Sequence, residues 1–175
     1  NEKGSMIKAY FNDIKSSQKI KYIEEKKPLG TAGSLKLLKK DLKTTFFVTN
    51  CDIIIYSHYP SILEFHRNNH YDLTLISSMR NYKIPYGVCD MDNYGKLKSI
   101  REKPQYDFFV STGFYVIEPK VLKLIPYNKK FDMNELINKV KKAGMKVGVF
   151  PVSENSWMDV GQWSEYKKNI SKLGL

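Results

Sequence analysis

The chain is short of cysteine, of histidine, of acid and of long apolar runs, and each shortage excludes something. Two cysteines in 175 residues, Cys51 and Cys89, do not make a disulfide framework. Both fall in apolar, strand-like contexts, which predicts two small buried thiols, and reduced cysteines suit the cytoplasm. No apolar run reaches the roughly 18 residues that mark a transmembrane helix, so no membrane partner is expected. Three histidines leave little room for a histidine-built metal centre. His66 and His70 have i, i+4 spacing but no third ligand and no Glu in a His-Glu-x-x-His pattern, so a helix surface is expected for them. No Ser–His–Asp or Cys–His arrangement suggests a nucleophilic hydrolase.

Acid is outnumbered, 18 Asp and Glu against 29 Lys and Arg, for a net charge of +11. That excess raises nucleic-acid binding as a function class. The placement of the lysines argues against it. Lys36, Lys39 and Lys40, then Lys139, Lys141 and Lys142, then Lys167, Lys168 and Lys172 are scattered along predicted helix faces. No basic stretch is interleaved with stacking aromatics. A solvated face is expected instead, and its field would steer an anionic, phosphorylated substrate.

What the chain does hold is 42% hydrophobic residues with 12 Tyr and 9 Phe, enough for one aromatic-rich core. Ser5 is placed to cap a short helix running to Phe11. Residues 19–23 alternate polar and apolar and predict a strand. Residues 30–40 predict a helix. Residues 45–52 are β-branched and aromatic, and predict a strand buried on both faces that ends on Asp52. Pro60 opens a helix that turns Ile62, Leu63 and Phe65 inward and ends near His70. Residues 73–77, 108–117 and 146–152 predict further strands, and residues 86–90 and 96–101 a hairpin around the turn at 91–95. Helices are predicted over 120–125, 132–143 with Gly144 as the stop, and 161–172. Such alternation indicates an α/β fold with a mixed, largely parallel sheet and helices on both faces.

Four segments could carry chemistry. In Pro28-Leu29-Gly30-Thr31-Ala32-Gly33 the glycines let backbone approach a ligand closely, and the amides could read a base edge or ribose. Asp52 closes a predicted strand at the rim of an α/β sheet, where ligands bind. Glu102-Lys103-Pro104 follows a predicted strand. In an extended segment its two side chains point opposite ways, so one could meet sugar hydroxyls and the other a phosphate; a surface ion pair is the plain alternative. Asp159 lies in Trp157-Met158-Asp159-Val160-Gly161. Gly87, after Tyr86, and Gly113, after Ser111-Thr112, mark close backbone approach or a β-bulge.

In this order the four segments resemble the sugar-1-phosphate nucleotidyltransferases, and the Leu-Gly-Thr-Ala-Gly form is most similar to the mannose-1-phosphate guanylyltransferase and glucose-1-phosphate thymidylyltransferase branch. The resemblance covers essentially the whole chain. It implies a Rossmann-like three-layer α/β/α architecture, the nucleotide-diphospho-sugar transferase fold. It implies a nucleoside triphosphate and a sugar 1-phosphate as substrates, and Mg²⁺ held by Asp52 and Asp159. Asp52, Lys103 and Asp159 become the catalytic candidates. Leu29, Gly30, Thr31 and Asp52 would face the nucleotide, and Gly87, Glu102, Lys103 and Gly113 the sugar phosphate. Neither the base nor the sugar follows, and a homo-oligomer stays open.

The resemblance also implies a gap. The family's glycine-rich, Arg-bearing triphosphate loop has no counterpart in residues 1–11. The expectation is that residues 1–175 form a single partial domain, incomplete at the N-terminus, inactive alone and completed by an upstream segment of the same polypeptide. A catalytically silent binding or regulatory relative is the rival reading. Intact Asp52, Lys103 and Asp159 argue against it.

Overall fold

A computed structural model describes residues 4–14 and 18–161. The chain divides into two compact units, one from Asn1–Thr45 with Glu118–Met145, the other from Phe46–Ile117 with Lys146–Leu175.

In the first unit α1 (Gly4–Asp13) buries none of its residues. The strand expected over 19–23 does not form. Ile20, Tyr22 and Ile23 stay 38%, 36% and 37% exposed; alternation makes a strand only where a neighbouring edge offers a ladder. The helix expected over 30–40 is a single turn, α2 (Gly30–Gly33), continued by a 3-10 turn over Ser34–Leu38. A second 3-10 stretch, Pro119–Leu124, stands where a helix over 120–125 was expected. Lys36 donates to the Leu122 carbonyl at 2.9 Å, and burial, then the charges of Lys39 and Lys139, push its ammonium below its usual pKa.

The expected second helix of this unit is present as α4 (Met133–Lys142). It buries Met133, Leu136 and Val140, an i, i+3, i+7 stripe; Leu35, Val121, Leu122 and Ile125 are also buried in this unit. At its start the Glu135 carboxylate accepts the Asp132 N–H at 2.7 Å, one arm of a capping box. Gly144, at φ +71°, stops it as predicted.

The second unit contains, in chain order, β1 (Phe46–Thr49), β2 (Ile53–Ile55), α3 (Tyr59–Asn68), β3 (Leu73–Lys83), β4 (Val88–Met91), β5 (Leu97–Arg101), β6 (Gln105–Ile117), β7 (Val147–Val152) and β8 (Trp157–Asp159). A four-stranded sheet has the order β1-β6-β3-β7. β6 is antiparallel to β1 and to β3, and β7 is parallel to β3. Three strands thus run one way and β6 alone opposes them, the expected mixed sheet with most strands codirectional. The run over 45–52 is not one doubly buried strand. β1 ends at Thr49, lies at the sheet edge and alternates half-buried with exposed; the chain then turns through residues 50–52 into β2.

The core of this unit gathers Ile55, Ile62, Ile76, Phe114 and Val116, with Ile53, Leu63, Phe150, Val152 and Trp157 packed against it. Tyr59 stacks on Phe114, ring centres 5.5 Å apart. His66, expected on a surface, is buried at 1% exposure and bonds Thr74 Oγ1 at 2.8 Å. It sits one turn after Ile62 on the inward face of α3, where a polar group must find a partner. Cys51 and Cys89, expected buried, are both exposed: the first lies in the β1–β2 turn, the second on the β4–β5 hairpin, which pairs only with itself among the described residues. From 79 to 111 no residue is buried. Of the helix expected over 161–172, all but Gly161 lies outside the described residues. No helix among the described residues is long and apolar enough to cross a membrane.

Candidate functional site

Asp52 and Asp159 reach the same place from distant parts of the sequence. β2 and β8 pair antiparallel with Ile53 opposite Asp159, which sets Asp52 just beyond the end of that ladder. The Val160 N–H donates to the Asp52 carbonyl at 2.9 Å and extends the pairing by one step. Both carboxylates touch Gly161. Asp159 Oδ1 accepts the Gly161 N–H at 3.0 Å, and a Cβ at residue 161 would stand 3.0 Å from the Asp52 carboxyl carbon and closer still to its Oδ2. Both aspartates are half-buried. Two carboxylates so arranged suit a hard cation that takes one or two protein oxygens and completes its shell with water and phosphate. No cluster of three or more His, Cys, Asp or Glu able to hold a metal occurs among the described residues. Gly161 was given no role from the sequence; its only signal was its position two residues after Asp159.

Asp159 lines a cleft of about 280 Å³ with Arg80, Asn81, Tyr82, Val110, Glu154 and Trp157. The Arg80 guanidinium lies 4.6 Å from the Trp157 ring centre and donates to Glu154 Oε1 at 2.5 Å. Nothing in the sequence singled out Arg80, because β3 and β8 lie far apart in the chain.

Glu102 and Lys103 occupy the turn between β5 and β6 rather than an extended segment. Lys103 takes φ +44°. The side chains therefore do not diverge: Lys103 Nζ lies 3.9 Å from Glu102 Oε1, at 58% and 72% exposure. This is the surface ion pair weighed as the alternative. Gly87 backs it, since a Cβ there would stand 3.2 Å from Glu102 Oε2. Gly113 realises the bulge: β3 pairs Ile76 with Phe114 and Ser77 with Ser111, so Thr112 and Gly113 are extra on β6. With φ +80°, Gly113 leaves room for the Asn50 side chain, and its carbonyl accepts the Asn50 N–H at 3.1 Å. It thereby supports the turn that carries Asp52.

Leu29, Gly30 and Thr31 lie in the other unit. Gly30 has φ +78°, and a Cβ there would meet the Phe131 carbonyl oxygen at 2.8 Å. The amides expected to read a nucleoside are engaged within the unit: Thr31 N–H donates to Asp132 Oδ1 at 3.1 Å, and Ala32 and Gly33 N–H donate to the Phe131 carbonyl at 3.0 and 2.9 Å. What the motif turns outward is the exposed Thr31 and the half-buried Gly30.

Comparison with known proteins places the chain. The family profile described as nucleotidyl transferase matches residues 1–174, so the chain belongs to the nucleotidyl transferase family. It is 30% identical over 162 residues to the mannose-1-phosphate guanylyltransferase catalytic subunit beta of Drosophila pseudoobscura pseudoobscura, covering 83% of this chain and 40% of that protein. It is 32% identical over 164 residues to mannose-1-phosphate guanylyltransferase 1 of Arabidopsis thaliana, covering 88% and 44%. The chain thus spans less than half the length of these two curated relatives. The fold matches HddC from Yersinia pseudotuberculosis with TM-score 0.71 at 24% identity, over 97% of this chain and 74% of that one. A further structural match, TM-score 0.66 at 21% identity over 98% and 71%, is the inositol-1-phosphate CTP transferase from T. maritima. These neighbours bear out the Rossmann-like fold.

Proposed function

We propose that these residues supply the metal-holding and sugar-phosphate-binding parts of an enzyme that transfers a nucleotidyl group from a nucleoside triphosphate to a sugar 1-phosphate. The observation that carries the reading is the convergence of Asp52 and Asp159 on Gly161 in a chain of this family. The names of its relatives make GTP and mannose 1-phosphate the first pair to test.

In this reading a phosphate oxygen of the sugar 1-phosphate attacks the α-phosphorus in line. A new P–O bond forms as the α–β bridge breaks, and pyrophosphate leaves. Little covalent chemistry falls to the protein, whose part is positioning and charge stabilisation. Asp52 and Asp159 would hold Mg²⁺, which when bound neutralises charge building on the α-phosphate. Lys103 is exposed and free to swing from Glu102 onto the sugar's phosphate, leaving Glu102 to accept from sugar hydroxyls. Gly87 lets the sugar approach Glu102 without a side chain between them. Within the first unit, Gly30 and the exposed Thr31 are the residues of its motif left for a nucleoside.

The test is pyrophosphate release from GTP and mannose 1-phosphate with Mg²⁺, measured on a polypeptide carrying these residues together with a triphosphate loop. Turnover that Asp159→Asn removes supports the reading. Absence of turnover with GTP, ATP, UTP, CTP and dTTP across hexose 1-phosphates overturns it in favour of a silent relative.

A further inference from the structure

We propose that Arg80 is a positioning residue for Asp159, acting through Trp157 and Glu154; this rests on the reading of Asp159 as a metal ligand. β8 is three residues long and its described partner β2 is no longer. A two-stranded pair of that length orders itself poorly. Trp157 opens β8 two residues before Asp159, and residues two apart in a strand share a face. Whatever fixes Trp157 therefore fixes the direction in which the Asp159 carboxylate points.

Arg80 is placed to fix it. Its strand, β3, is paired on both sides over 73–78 and still paired at residue 80, opposite Phe108. The guanidinium lies over the Trp157 ring at 4.6 Å and donates to Glu154, in the 3-10 turn leading into β8, at 2.5 Å. One side chain from the long strand thus touches the short one at Trp157 and the turn leading into it at Glu154. The planar guanidinium stacks on an indole and bonds a carboxylate at once, which an ammonium does not do as well. Arg80 and Asp159 also line the same cleft.

Charge by itself predicts the opposite effect. A cation in the cleft repels Mg²⁺ or Mn²⁺, so if Arg80 were only a nearby charge, removing it would tighten metal binding. Holding Asp159 in place predicts that removing it loosens binding. Arg80→Lys isolates the geometry, because the charge stays and the stack is lost.

The experiment is Mn²⁺ titration by electron paramagnetic resonance, with amide hydrogen exchange read at residues 157–160, on the unsubstituted protein, Arg80→Lys and Arg80→Met. The expected result is roughly tenfold weaker Mn²⁺ binding in both variants, with faster exchange at 157–160 and little change elsewhere. Binding unchanged in Arg80→Lys, or tighter in Arg80→Met, overturns the proposal. So does unchanged exchange at 157–160, which needs no metal and is read whether or not Mn²⁺ binds. Failure of the unsubstituted protein to bind Mn²⁺ overturns the metal reading instead.

Discussion

A methyl group at residue 161 would press into the Asp52 carboxylate while leaving the Gly161 N–H on Asp159. Gly161→Ala should therefore push the Asp52 carboxylate away from Asp159 with neither aspartate substituted. Metal affinity is expected to fall roughly 10–100-fold with a nearly unchanged melting temperature, since residue 161 is exposed; calorimetric Mn²⁺ titration beside a thermal melt checks both. Asp52→Ala and Asp159→Ala should each cut turnover by about two orders of magnitude or more. Their effects should not multiply in the double variant, because both serve one ion. Steady-state rates of the four proteins decide, and a double loss equal to the product of the single losses means that no ion is shared. Lys103→Ala separates the two roles open to that residue. As a phosphate ligand it should raise KM for the sugar 1-phosphate far more than KM for the nucleotide. As an exposed ion pair it is worth about 0–1 kcal/mol and should leave both constants alone.

At the level of elements, α4 was visible in advance, whereas the strand expected over 73–77 is β3, which runs on to Lys83. α4 combines an apolar stripe, an Asp–x–x–Glu start and a glycine stop, all local signals. Its N-terminus does more than begin a helix, because Asp132 also receives the Thr31 amide and the Thr31 hydroxyl receives the Met133 N–H at 2.8 Å. Asp132→Ala should cost about 1 kcal/mol from the cap plus the loosening of the Gly30–Thr31 turn. Urea unfolding gives the first and proteolysis near residue 31 the second. Strand 19–23 misled because period-2 alternation is needed for a strand but not sufficient. The run over 45–52 misled because a continuous apolar stretch does not show where the chain will turn, and Asn50 turns it by packing against Gly113.

Over the whole molecule, the charge of +11 raises nucleic-acid binding as a function class, and the scatter of the lysines along the sequence argues against it. The protein should not retard DNA or RNA in a gel at about 0.15 M salt, where screening reaches roughly 8 Å. A salt-dependent shift with a steep slope would reinstate nucleic-acid binding. The fold class and the order of most elements were legible in the chain, because periodicity, glycine stops and residue type are properties of about ten neighbouring residues. Three things were decided only by tertiary structure: that Asp52 and Asp159 meet at Gly161, that Glu102 faces Lys103 across a turn, and that His66 is buried while both cysteines are exposed. The first depends on which distant strand lies alongside, β8 beside β2, and pairing of that kind is settled by closing long loops and burying a shared face. No local stretch of sequence records it.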